Sequence, residues 1–244
     1  MEKQLREAEQ LFKQGRGDLA RQKMEMLLQE HPYHAGLLND LGVLAHQSGD
    51  PALAEAYFLQ AFDADPQNLD VLWNLWHQFV SLNKPTAALA VLIHLYRALP
   101  QPDTDAEFRC ALQDFCKNIV RQVLKFPELE VWTDRGICRV SPACEALIRE
   151  ACFIHRHAHL GSLAATLSAL HQFAHHQDIR SAIDLLLEAR QPFPLQKSAQ
   201  YLLVTLLILE QEYPLARQVF ENLSPDAFWQ ELQDILSARF TPRS

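Results

Sequence analysis

The chain concentrates its chemistry-bearing side chains in one passage, "CFIHRHAHLGSLAATLSALHQFAHH", residues 152–176. If helices meet at a turn near Gly161, Cys152, His155 and His159 share one face at i, i+3 and i+7, and His171 and His175 share another at i, i+4. His171, ten residues beyond the turn, then falls opposite about residue 151, near Cys152 and His155. Thiolate and imidazole are zinc-type ligands, so a metal-binding protein or an enzyme with its site in the 152–176 hairpin is one alternative. No H-E-x-x-H or comparable signature accompanies the set. The preferred reading is a group of partly exposed histidines near helix ends, where imidazolium suits the C-terminal dipole, and no metal or other cofactor is expected.

Other catalytic patterns are missing. The five cysteines, Cys110, Cys116, Cys138, Cys144 and Cys152, include no C-x-x-C, so neither a zinc ribbon nor a dithiol redox pair is suggested. Reduced, mostly buried thiols are the expectation. G-x-S-x-G, G-x-G-x-x-G and the P-loop pattern do not occur, and "GRGD" at 15–18 is explained by a turn. The reading is therefore of a protein that is not an enzyme.

Composition narrows the class further. With 244 residues and 48% hydrophobic content, the chain can fill a substantial core. Its formal net charge of −8 gives it no general attraction for phosphate backbones or anionic lipid, so nucleic acid is not an expected partner. The N-terminal "MEKQLREAEQ" is charged where a signal peptide would be apolar, and no run approaches the roughly 18 apolar residues of a membrane span. No membrane insertion and a cytoplasmic location are expected.

The chain also carries a repeat. In steps of 34 residues, Ala20, Ala54 and Ala88 fall in phase, as do Met24, Phe58 and Leu92, then Leu27, Ala61 and Leu95, then Pro32, Pro66 and Pro100. Upstream, Leu38, Leu41, Gly42 and Ala45 correspond to Leu72, Leu75, Trp76 and Phe79, while the first copy keeps only Ala8 and Leu11. Each unit thus reads as two helices. Gly15, Gly49 and Asn83 share the position between them, where a left-handed residue ends a helix. Asp50 reads as an N-cap with Pro51 in the first helical position, and Pro85 repeats the device. Small residues at the crossings let backbones approach, and Phe58 or Leu92 fills the adjoining groove.

Copy two, "LNDLGVLAHQSGDPALAEAYFLQAFDADP", places Leu38, Leu41, Gly42, Ala45, Ala54, Phe58, Ala61 and Pro66 in a pattern that resembles the tetratricopeptide repeat family. The resemblance implies an all-α, right-handed superhelix of helical hairpins, whose first helices line a concave groove that binds another protein or a peptide segment. It gives groove-facing positions to Asn39, Asp40, Val43, His46 and Gln47 in copy two and to Asp70, Trp73, Asn74, His77 and Ser81 in copy three. Asn74 matches a position where the family often uses asparagine to bond a ligand backbone, although copy two has Asp40 there. Leu5, Glu9, Asp40, Asp70 and Asn74 occupy the positions where chaperone-tail binders of this family carry Lys and Arg. An acidic-tailed client is thus disfavoured. Trp76 reads as core, whereas Trp73 is divided between packing and partner contact.

Three units are expected over residues 1–102. The frame then breaks, with Gln122 and Arg156 where alanines would continue it, and returns at Ala182 and Ala216. The 60 residues of 103–162 are eight short of two full repeats and read as an irregular helical segment continuing the solenoid. Within it Phe108, Ala111, Leu112, Phe115, Ile119, Val120 and Val123 form a stripe, and Ser141 precedes Pro142 as a cap. Two degenerate units follow over 163–225. Residues 226–244 read as a capping helix and tail, with Phe228, Trp229, Leu232, Ile235 and Leu236 at helical spacing. Function is read as an adaptor, scaffold or chaperone-like binder. The "NDLG" and "DADP" elements also resemble arrays attached to bacterial glycosyltransferases or methyltransferases, so an accessory subunit of such an assembly is the other alternative.

Overall fold

The computed structural model describes residues 2–125, 162–176, 178–190 and 195–240. Every regular element among these residues is helical. They divide into two compact units, one of residues 2–100 and one of the described residues from 101 onward.

The first unit holds three helical hairpins: α1 (Glu2–Lys13) with α2 (Gly17–Glu30), α3 (Ala35–Gln47) with α4 (Pro51–Ala64), and α5 (Leu69–Ser81) with α6 (Pro85–Ala98). The 34-residue columns are its core. Ala20, Ala54 and Ala88 are buried, together with Met24, Phe58 and Leu92 and with Leu27, Ala61 and Leu95. Burying three such columns supplies hydrophobic stabilisation at roughly 25 cal/mol per Å² of apolar surface removed from water. Successive hairpins share this core: Ala8, Ala20, Met24 and Leu27 cluster with Leu37, Leu41 and Leu44 of the next. Gly42 fits there because a Cβ would sit 2.5 Å from two ring carbons of Phe58.

The turns repeat as one device. Gly15, Gly49 and Asn83 have φ of 74°, 78° and 52°. Each turn closes with the same two bonds, for example Gly49 N–H to the His46 carbonyl at 3.1 Å and Asp50 N–H to the Ala45 carbonyl at 3.0 Å, which satisfies carbonyls at the helix end. Asp50 Oδ1 then accepts from Leu53 N–H at 3.0 Å, and Pro51 opens α4. Pro85 opens α6 likewise, but Lys84 makes no capping bond. Its ammonium reaches Glu55 on α4, at 2.7 and 2.6 Å.

The second unit comprises α7 (Ala106–Lys125), α8 (Ser162–His171) running into a π turn (Gln172–His176), α9 (Ile179–Arg190), α10 (Lys197–Leu209), α11 (Tyr213–Glu221) and α12 (Ala227–Phe240). The α7 stripe is buried at Phe108, Leu112, Phe115, Ile119, Val120 and Val123. Ala111 is only half-buried, and Cys116 and Leu124 join the buried face. Helix α10 is buried on every side from Tyr201 to Ile208, as so apolar a run must be, and α7, α9 and α11 pack around it. Gln211 takes φ 61° five residues before Ala216, as Gly49 does before Ala54, so the turn device persists here without a glycine.

Helix α12 begins at a built cap. Asp226 Oδ1 accepts from Trp229 N–H and from the Tyr201 hydroxyl, both at 2.7 Å, and Lys197 lies 3.4 Å from its other oxygen. Tyr201 meets Phe228 edge-on at 4.8 Å, Trp229 stacks on Phe220 at 5.2 Å, and Arg121 of α7 grips Glu231 with bonds of 2.9–3.1 Å.

Of the two described cysteines, Cys110 is exposed and Cys116 is buried, and burial pushes the Cys116 thiol up to about 12. One expectation needs correction. His171 is fully buried rather than partly exposed, because α8 packs against α9 and His171 lies on a stretch that is buried from Leu163 onward.

Candidate functional site

The first helices of the second and third hairpins, α3 and α5, lie against each other and against α4. Between them is a pocket of about 150 Å³ lined by Val43, His46, Gln47, Phe58, Asn74, His77 and Gln78. Local capping fixes the helices that bear these side chains. His34 Nδ1 accepts from Leu37 N–H at 3.0 Å at the start of α3, and Asn68 Oδ1 accepts from Asp70 and Val71 N–H at 3.1 and 3.3 Å at the start of α5.

A chain of hydrogen bonds ties the pocket wall together. Gln78, almost fully buried, donates from Nε2 to the Pro51 carbonyl at 2.8 Å, and its Oε1 lies 2.8 Å from His46 Nδ1. Because a carbonyl only accepts, the Gln78 amide has one orientation, and His46 Nδ1 must be the donor. Asn74 Nδ2 donates to Asn39 Oδ1 at 2.8 Å, joining α5 to α3. The rings of Trp73 and of the lining residue His77 lie 6.3 Å apart and tilted by 31°.

Of the expected groove residues, Val43, His46, Gln47, Asn74 and His77 line this pocket. Asn39 joins it through Asn74, and half-buried Trp73 through His77. Asp40, Asp70 and Ser81 are outside the lining: Asp70 sits in the first turn of α5, and Ser81 donates to the Gln78 carbonyl at 2.8 Å. Sequence reasoning missed two lining residues. Phe58 was assigned wholly to packing, and Gln78 was not singled out. The available signal for Gln78 is its column, since 34 residues earlier stands buried Leu44, so a polar residue interrupts an apolar position.

Cys152, His155 and His159 of the metal alternative lie outside the described residues, as does the Ser141 cap. His171 is buried at the end of α8, and His175 is in the π turn. Among the described residues no group of three His, Cys, Asp or Glu side chains is placed to hold a metal ion, and no helix is long and apolar enough to cross a membrane.

Residues 5–68, which span α1 to α4, match the tetratricopeptide repeat family model. Such repeats generally mediate protein–protein interaction. No curated protein sequence matches the chain. Among solved structures, a tetratricopeptide repeat protein from Parabacteroides merdae aligns with 13% identity over 98% of this chain and 86% of its own, at a TM-score of 0.41. Pseudomonas aeruginosa pilF aligns with 14% identity over 96% of each chain, at a TM-score of 0.39.

Proposed function

We propose that this tetratricopeptide repeat protein is a non-catalytic interaction module of the cytoplasm, an adaptor, scaffold or chaperone-like binder that holds a segment of another protein between α3 and α5. The observation that supports this reading most is the convergence of Val43, His46, Gln47, Asn74 and His77 on one pocket. Those side chains come from two helices a repeat apart, and they surround a space floored by Phe58. An apolar floor under a few convergent polar groups is the usual make-up of a recognition site, and Trp73 beside His77 offers the kind of aromatic area that anchors partners.

The test is retention of partners from native lysate by tagged full-length protein. Wild type is compared with a variant carrying Trp73→Ala, Asn74→Ala and His77→Ala, and with a control carrying Arg217→Ala on exposed α11. Loss of a partner in the triple variant alone, with helicity unchanged by circular dichroism, supports the reading. Equal retention by all three proteins contradicts it.

A further inference from the structure

The hydrogen-bond chain in the pocket wall determines which ligand chemistry the pocket accepts. Gln78 is locked by the Pro51 carbonyl, so its Oε1 takes the proton-bearing Nδ1 of His46. A neutral imidazole with hydrogen on Nδ1 carries a lone pair on Nε2, so its remaining ring nitrogen is an acceptor. Asn74 gives one amide N–H to Asn39, which leaves its carbonyl as an acceptor beside its second N–H. Helices α3 and α5 contain no Lys or Arg, and their two aspartates, Asp40 and Asp70, lie outside the pocket lining. His46 and Gln47 lie in the last turn of α3, and His77 lies one turn from the end of α5. Helix C-termini carry partial negative charge and favour a cation.

We propose that the pocket between α3 and α5 takes a cationic, donor-only side chain, an arginine, from a basic segment of the partner protein. This rests on the interaction reading above and specifies its ligand. A volume of about 150 Å³ corresponds to roughly five waters at ~30 Å³ each, enough for a guanidinium group. Phe58 provides the apolar floor for the side chain's methylenes. The Trp73–His77 pair beside it provides aromatic faces, over which guanidinium is favoured above ammonium.

The test uses full-length protein and three probes: N-acetyl-arginine amide, its neutral isostere N-acetyl-citrulline amide, and N-acetyl-glutamate amide. Nitrogen NMR of the imidazoles at pH 7.5 is expected to show His46 with its proton on Nδ1. The arginine probe should saturably shift the His46, His77 and Trp73 signals. It should bind at least tenfold more tightly than citrulline, with no shift from glutamate. Gln78→Leu should move the His46 proton to Nε2 and abolish the arginine preference. The wild-type measurements decide the matter even if that variant misfolds. A His46 proton on Nε2 in wild type, or citrulline binding as well as arginine, overturns the proposal. If partner retention depends on the triple variant while arginine is not preferred, the interaction reading stands and this inference falls. If retention is also unaffected, both fall.

Discussion

Gly42 and Phe58 meet so closely that the small residue is obligatory. A methyl group at position 42 would sit 2.5 Å from two Phe58 ring carbons, and the ring itself is buried. Gly42→Ala should cost about 1–3 kcal/mol, the usual range for overpacking a core, seen as a lower urea midpoint with unchanged slope. A wild-type midpoint would show that the ring moves freely. Gln211 makes the opposite prediction. An L-residue in the left-handed region costs roughly 1–2 kcal/mol, partly offset by the greater entropy a glycine loses on folding. Gln211→Gly should therefore raise stability by about 0.5–1 kcal/mol, and no rise in melting temperature would contradict that account.

These residues also mark what the sequence discloses. Gly15, Gly49 and Asn83 announce their φ by type, because few other residues tolerate it. Gln211 does not, and is legible only from its distance to Ala216. The resemblance to the tetratricopeptide pattern gives five of the seven pocket-lining residues. Gln78 and Phe58 were hidden because their roles depend on a third helix, α4, whose Pro51 carbonyl orients the amide. No spacing within α5 encodes that contact.

Among the elements, α12 depends on its first turn. Burial alone would push the Asp226 carboxyl up, but the Tyr201 hydroxyl, the Trp229 N–H and Lys197 outweigh it and hold the group below its ordinary value. The same burial and the bond to Asp226 push the Tyr201 hydroxyl up. A carboxylate whose folded pKa is depressed stabilises the protein above its unfolded pKa of about 3.9 and loses that contribution as pH falls through the folded value. Asp226→Ala should therefore cost about 1–2 kcal/mol at pH 7 through the lost cap and hydroxyl bond. The gap between variant and wild type should close in acid below about pH 4. A gap independent of pH would place the effect in packing instead. The amphipathic stripe made α7 and α12 readable as elements. Docking of α7 on α10 was not readable, because contacts between helices so far apart in sequence leave no local period.

For the whole molecule, a net charge of −8 and two facing helices without Lys or Arg favour a basic partner over an acidic one. Affinity for that partner should decline as salt shortens the Debye length from about 10 Å to about 3 Å, and a salt-independent affinity would contradict the assigned charge. If α3 and α5 form the working surface, amide hydrogen exchange of the full-length protein with and without its retained partner will register it. Slowed exchange in peptides covering residues 39–47 and 70–81 is the predicted result, and slowing confined to the second unit, with those peptides unchanged, would contradict the account.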